Sequence, residues 1–165
     1  MFKRYMLRSK AMLFVAGLGV AGVLSGCGLS MPTDPEGTLD SVRSQTLRVG
    51  VSPNAGFVQI ENGEPRGREI ILIESFADRL HARIEWTVAG EEQLVGQLED
   101  GALDMVAGGI TSKTPWSEEA GMTRPYTTWT DDRGNEHLII LLVRPGENAF
   151  LSELEHFLDQ TQEMP

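Results

Sequence analysis

Between residues 47 and 107 the sequence alternates short apolar strands with amphipathic helices, and this alternation restricts the fold more than any other feature. The predicted elements are a strand at 47–51, a helix at 70–80, a strand at 82–88, a helix at 91–100 and a strand at 103–107. This order is typical of a parallel sheet covered by helices. We therefore expect an α/β domain with a mostly parallel sheet of about five strands and helices on both faces.

The strand at 103–107 leads into a glycine pair and a hydroxyl-rich turn. The turn comprises Gly108, Gly109, Ile110, Thr111 and Ser112. Glycines allow a ligand to approach the backbone, and free amides beside a threonine hydroxyl can orient polar groups. Ligands of open α/β sheets bind where the carboxyl ends of strands meet loops, so the sequence predicts a site at a surface edge here. The alternative is a tight turn that binds nothing.

Four short motifs follow one another along the chain. They are LRVGVS at 47–52, GxExxLxxxFAxxL at 67–80, GALDMVAGGIT at 101–111 and TRPY at 123–126. Their order and spacing resemble the first lobe of the bacterial periplasmic solute-binding proteins of type II, family 3, which recognise amino acids and related small solutes. The resemblance covers most of the chain and implies a single lobe of that fold, which binds a small polar solute.

The resemblance also implies a set of ligand-binding residues. In the family, the aromatic residue after the first strand forms a wall of the ligand pocket, and Phe57 matches that position. With it we expect Ser52, Gly109, Thr111 and Trp116 to contact the solute. The alternative for Phe57 is packing beneath its own loop.

Trp116 departs from the family pattern. The family commonly places an arginine at this position, where its planar fork binds the carboxylate of an amino acid. Tryptophan can instead stack on a flat ring or face a cation, and Lys113 nearby could supply a point charge. Trp116 could equally pack at the start of a short helix after Pro115.

The second departure concerns the second lobe that the family builds after its Pro-Tyr motif. Here residues 126–130, a polar turn at 131–135 and residues 137–143 predict a hairpin instead, followed by a helix with an apolar face. A single lobe encloses less of a solute than two. If a two-lobed receptor binds its solute with a free energy of about −8 kcal/mol, half of the contacts would leave a binding free energy of about −4 kcal/mol. This corresponds to a dissociation constant in the millimolar range. The missing wall could come from a partner protein or from a second copy.

The N-terminal segment predicts export and lipid attachment. Residues 1–26 combine a basic start with an apolar run too short to span a bilayer comfortably, as in a signal peptide. The segment ends in Leu-Ser-Gly-Cys, which resembles a lipobox and implies acylation of Cys27. We expect a flexible tether at 27–45 and a folded domain at 46–162. The alternatives are an ordinary signal peptide or an uncleaved anchor. The implied location is the periplasmic side of the cell envelope, anchored to the outer or inner membrane.

Charge and composition exclude several functions. The chain has 14 basic and 24 acidic side chains, and without the four basic residues of the signal peptide 10 basic side chains remain, for a net charge of −14. Such a charge argues against nucleic acid and leans toward cationic or neutral solutes. Cys27 is the only cysteine, and the three histidines lack metal-ligand spacing. No catalytic motif is present, so we expect no enzyme, no cofactor and no metal.

Two functions remain. The first is a lipid-anchored solute-binding lobe, in association with a membrane transporter or as a homodimer. The second is an interaction module, in which a face rimmed by Phe57, Trp116, Tyr126 and Trp129 docks on a membrane transporter or an envelope enzyme and regulates or tethers it.

Overall fold

The computed structural model describes residues 33–162. Within this range the helices are α1 (Thr38–Val42), α2 (Arg68–Arg79), α3 (Glu91–Glu99) and α4 (Asn148–Gln162). The strands in the same range are β1 (Thr46–Val51), β2 (Gln59–Glu61), β3 (Glu64–Arg66), β4 (Arg83–Val88), β5 (Met105–Ala107), β6 (Gly121–Met122), β7 (Thr127–Thr130), β8 (Glu136–Ile139) and β9 (Leu142–Val143).

The central sheet has five strands in the order β4-β1-β5-β9-β6. Strand β1 pairs in parallel with β4 along its whole length, and in parallel with β5 from Val49 to Val51. Strand β9 runs antiparallel between β5 and β6. The predicted α/β class is confirmed, with parallel pairing confined to β4, β1 and β5.

The two faces of the sheet bury separate apolar clusters because successive side chains of a strand point to opposite faces. On one face, Val49 and Met105 pack with α1, α2 and α4. On the other face, Val106 and Leu142 pack with α3. Helices thus cover both faces, as the sequence predicts.

The predicted hairpin forms, although its second strand is shorter than expected. Strands β7 and β8 pair antiparallel from Thr127↔Ile139 to Thr130↔Glu136, around a turn at 131–135. The carboxylate of Asp131 accepts hydrogen bonds within this turn, chiefly from the Asn135 side chain, and these bonds lower its pKa. The apolar run at 137–143 does not form one strand. It divides between β8 and β9, which belong to different sheets.

The predicted tether differs from the structure over residues 33–45. Asp34 accepts hydrogen bonds from the backbone of α1 and from the start of α4, and the side chain of Val42 is completely buried. Glu147, just before α4, accepts bonds from the backbone amides of Glu36 and Thr38. The carboxylates of Asp34 and Glu147 thus accept hydrogen bonds from backbone amides at the ends of helices. The polar side chains of a flexible linker would face solvent instead. The signal peptide, Cys27 and the rest of the tether, 27–32, lie outside the described residues.

Candidate functional site

Three of the predicted site residues, Ser52, Phe57 and Gly109, meet where β1 and β5 end and α2 begins. The amide of Ser52, directly after β1, donates to the carbonyl of Ala107 at the end of β5 at 2.9 Å. The side chain of Asn54 donates to the carbonyl of Gly108 at 2.7 Å. The loop after β1 is therefore tied to the glycine turn, as a site at the carboxyl edge of a parallel sheet requires.

The glycine turn is buried, whereas the sequence predicted a surface edge with free amides. Gly108 and Gly109 are both buried, and the amide of Gly109 donates to the Glu69 carboxylate at 2.9 Å. The backbone of Gly108 also acts to lower the pKa of this carboxylate. The Gly109 amide already has a partner within the chain, so it holds the turn in place and is not available to orient a solute.

Gly109 is required for close packing against Phe57. Its φ is 64°, in the left-handed region, and a Cβ added there would lie 2.5 Å from Cδ2 of Phe57. Only glycine has the backbone freedom and the small size for this position. The pattern correctly placed Gly109 beside Phe57, but the contact belongs to the core of the lobe.

Phe57 itself is covered, so its ring is not the open pocket wall expected from the resemblance. Its side chain is 2% exposed. The guanidinium carbon of Arg68 lies 4.1 Å from its ring centroid, and Trp129 of the hairpin packs edge-on at 6.0 Å. The alternative that Phe57 packs beneath its own loop describes the structure, with the hairpin adding part of the cover.

Glu69 is a central residue of this region that was not among the residues predicted from the sequence. It is 1% exposed, and its second oxygen accepts from the Tyr126 hydroxyl at 2.5 Å. Burial raises the pKa of Glu69, and the hydrogen bonds from Tyr126 and the turn amides oppose that rise only in part. Burial and the charge of Glu69 also raise the pKa of Tyr126, so its hydroxyl keeps its proton. The signal in the sequence was an acidic residue directly before the predicted helix at 70–80 and one turn before Ile73, in line with the apolar side of that helix.

Thr111 lies at the end of the turn, against the hairpin. It pairs with Ile139 of β8 through an isolated bridge, and the amide of Ser112 donates to the Leu138 carbonyl at 2.8 Å. Ser52 and Thr111 are both half-buried. Of the five predicted ligand-binding residues, these two are the hydroxyl-bearing ones, and each remains partly open to solvent.

Trp116 packs on the α3 side of the lobe, against a different apolar cluster from that of Phe57. Its indole nitrogen donates to Oε1 of Glu91 at 2.5 Å, and its ring packs against the apolar cluster under α3. The expected short helix after Pro115 is a series of turns. Trp116 is half-buried, so part of its surface is accessible, but its polar edge is already bound.

The comparisons with known proteins agree with this architecture. The sequence profile of the bacterial extracellular solute-binding proteins, family 3, matches residues 47–164. The chain belongs to this family. Family members are extracytoplasmic solute-binding proteins, and the recognition made from the four motifs is therefore confirmed.

One curated relative is the probable amino-acid-binding protein YxeM of Bacillus subtilis (strain 168). It is 27% identical over 121 residues, which are 73% of this chain and 43% of the relative. The chain thus spans less than half the length of the curated relative that it matches.

Two solved structures show the same fold. One is a point mutant of domain 1 of the T. maritima arginine-binding protein in its arginine-bound form, with a TM-score of 0.68 and 20% identity over 76% of this chain and 99% of that one. The other is an arginine-specific periplasmic binding protein of Salmonella typhimurium, with a TM-score of 0.64 and 12% identity over 73% of this chain and 95% of that one. The first match confirms the fold as one solute-binding lobe.

The described part of the chain lacks two features. No group of three or more histidine, cysteine, aspartate or glutamate side chains in residues 33–162 is arranged to hold a metal ion. None of the helices in the same range is long and apolar enough to cross a membrane.

Proposed function

We propose that this chain is a lipid-anchored, extracytoplasmic receptor lobe that binds a small amino-acid-like or cationic solute at the carboxyl ends of β1 and β5. The observation that carries the proposal is the fold match to domain 1 of the arginine-binding protein. That structure contains domain 1 alone, and it was solved with arginine bound. A lobe of this architecture can therefore hold a solute by itself.

The proposed solute contacts are Ser52, Thr111 and the exposed part of Trp116. Phe57 and Gly109 form the floor beneath them, since both are buried in direct contact with each other. The acidic character of the chain supports a cationic solute through long-range attraction. Contacts from one side only favour affinity near millimolar, because about half the surface of the solute stays in water.

Calorimetric titration of the mature chain tests this function. The panel should include basic, neutral and acidic amino acids, polyamines and small organic acids. We expect saturable heat from at least one amino-acid-like or cationic solute, at about millimolar affinity or tighter. The variant Thr111→Val, which keeps the shape of the side chain and removes its hydroxyl, should weaken binding. Ser117→Ala, at an exposed position in the same loop, is the matched control. An absence of heat from the whole panel would contradict the proposal.

A second candidate function is an interaction module, and the covered site favours it. The turn amides are bound by Glu69 and the ring of Phe57 is closed over, while Trp129 and Leu138 of the hairpin are 37% and 47% exposed. A hairpin with exposed apolar side chains could contact a membrane transporter or an envelope enzyme. Under this function, photo-crosslinking from position 138 in cells would give a specific membrane-protein adduct and the calorimetric panel would give no heat, whereas the first function requires saturable heat from a solute.

Lipid attachment through Cys27 and association with a transporter or a second copy complete the proposal. The support for the lipid is the signal-like segment at 1–26 with its lipobox. The support for a transporter is that the family is extracytoplasmic and binds solutes. The proposed location is the periplasmic side of the outer or inner membrane.

A further inference from the structure

Arg68 is the first residue of α2 and lies at the edge of the candidate site. Its guanidinium carbon lies 4.1 Å from the centroid of Phe57, and the ring of Phe57 in turn packs against Gly109 of the turn. Gly67 brings the start of α2 close to the loop after β1, since a Cβ there would lie 2.2 Å from the carbonyl oxygen of Phe57. Arg68 is thus held against Phe57 at the start of α2, although it is an exposed residue.

The guanidinium of Arg68 has no carboxylate partner among residues 33–162. No acidic oxygen lies within 4.0 Å of it, and no hydrogen bond from its N–H groups is formed in that range. Glu69 is next in sequence but directs its oxygens to the Gly109 amide and the Tyr126 hydroxyl. The ring of Phe57 therefore positions a cation whose five N–H donors remain unused.

The carboxylate of an amino acid loses water when it binds to a protein. A cation that donates hydrogen bonds to it compensates for this loss. The other predicted contacts supply hydroxyl groups and an indole. Lys113, on the turn after Thr111, is another cation of this region, and it is an exposed point charge that stacks on no aromatic ring of residues 33–162. Arg68 has a planar fork that fits a carboxylate with two parallel hydrogen bonds, and its contact with Phe57 restricts its motion in advance.

We propose that Arg68 is the residue that binds the carboxylate of the solute and so makes the lobe selective for amino acids over the corresponding amines. This inference rests on the proposed solute-binding function and adds the chemical class of the solute. The carboxylate would lie on the outer side of Arg68, and the remainder of the solute would extend toward Ser52 and Thr111.

The test compares amino acids with amines that differ only by loss of the carboxylate. L-arginine is paired with agmatine and L-lysine with cadaverine, and each is titrated into the mature chain while amide and arginine Nε–Hε signals are followed by NMR. We expect the amino acid to bind about tenfold more tightly than its amine, which is the size of effect expected for a hydrogen-bonded charge pair. The Nε–Hε signal of Arg68 should shift with the amino acid and not with the amine.

Substitutions separate Arg68 from other cations. Arg68→Ala should remove the preference for the amino acid, and Arg68→Lys should retain only part of it because the charge remains and the fork is lost. Arg66→Ala and Lys113→Ala are the controls. Arg66 is an exposed arginine two residues away that also lacks an ion pair within residues 33–162, and both control variants should keep the preference.

The experiment distinguishes a failure of this inference from a failure of the proposed function. If the unmodified chain binds an amino acid and Arg68→Ala keeps the full preference over the amine, the inference is wrong and the proposed function stands. Loss of the preference in Lys113→Ala alone would assign the carboxylate to that lysine and also overturn the inference. If neither the amino acids nor the amines bind to the unmodified chain, the proposed function fails, and the role of Arg68 fails with it.

Discussion

The carboxylate of Glu69 joins three parts of the lobe that are far apart in sequence. It accepts from the glycine turn after β5 and from Tyr126 just before the hairpin, while the residue itself lies in the first turn of α2. A buried carboxylate is costly unless its lone pairs are occupied, and here donors from two other elements occupy them. Glu69 therefore fixes the turn on which Thr111 is carried.

The raised pKa of Glu69 has a definite consequence for stability. A carboxyl group whose pKa is higher in the folded state contributes stability at pH values below its unfolded pKa, and this contribution is lost as the pH rises through the folded pKa. Arg68 and Tyr126 are the other titratable groups that act on it: the charge of Arg68 and the hydrogen bond from Tyr126 both work against the rise.

We predict that Glu69→Gln changes the pH dependence of unfolding. Above the ordinary glutamate pKa of 4.5, the free energy of unfolding of the variant should improve relative to the unmodified chain as the pH rises, because glutamine cannot ionise. Urea unfolding of both proteins at several pH values between 4 and about 7 measures this difference. Glu74→Gln on the exposed face of α2 is the control and should show no such trend. A difference that moves in the opposite direction would contradict the assignment.

At the scale of elements, α4 is capped by a residue 115 positions earlier in the chain. Oδ1 of Asp34 accepts from the amides of Ala149 and Phe150, at 2.6 and 3.0 Å, and Oδ2 accepts from Leu39 of α1 at 2.8 Å. The first amides of a helix have no partner within the helix, so a single carboxylate stabilises two helix starts. Through this contact the segment before β1 is part of the folded lobe.

We predict that Asp34→Ala lowers the free energy of unfolding by about 1–2 kcal/mol, as for the loss of a helix cap. Asp40→Ala is the matched control, since Asp40 is an exposed aspartate of α1 without a capping bond, and it should change stability by less than about 0.5 kcal/mol. Urea denaturation followed by circular dichroism measures both. Equal stabilities for the two variants would show that the segment at 33–45 is not held by this contact.

The elements that the sequence predicted well are those with one buried face. Leu47, Val49 and Val51 alternate in the sequence with polar or small residues, so the period and the length of the segment identified β1 without any knowledge of its contacts. The run at 137–143 could not be divided in this way, because Ile139 to Val143 are all buried and no polar residue marks the change of sheet. The helix α1 was missed because its five residues are too few for a helical period to show.

The candidate site was predicted only in outline. Phe57 and Gly109 were correctly placed together, because chain order around a parallel sheet brings the ends of β1 and β5 to one edge. The role of Glu69 depends on which side chain reaches the glycine amides across 40 residues, and sequence spacing carries no information on that. The burial of Phe57 likewise depends on the packing of the Arg68 and Trp129 side chains against its ring, which sequence spacing does not reveal.

At the scale of the whole molecule, the lobe has a hairpin where the resemblance implies a second lobe. The hairpin contributes Trp129 to the cover over Phe57 and pairs with Thr111 through Ile139. It therefore belongs to the candidate site. Residues 33–162 form one lobe and contain no second lobe to close against, so solute binding by these residues alone would not produce a large conformational signal.

We predict that Cys27 determines where the protein is found. Cys27→Ser should abolish incorporation of radiolabelled palmitate and release the protein from the membrane fraction into the soluble extracytoplasmic fraction. Ser25→Ala, two residues earlier in the lipobox, keeps a small residue there and should retain labelling. Labelling of the Cys27→Ser protein, or its unchanged membrane association, would contradict the proposed lipid anchor.

The central claim is that one lobe holds an amino-acid-like solute at the carboxyl ends of β1 and β5. Mapping of amide and indole chemical shifts during titration of the mature chain with L-arginine and then with the rest of the amino-acid panel tests it most directly. We predict saturable chemical-shift changes that cluster at Ser52, Thr111 and the Trp116 indole. Saturable shifts confined to residues outside this edge of the sheet, or no saturable shift with any of these solutes, would contradict it.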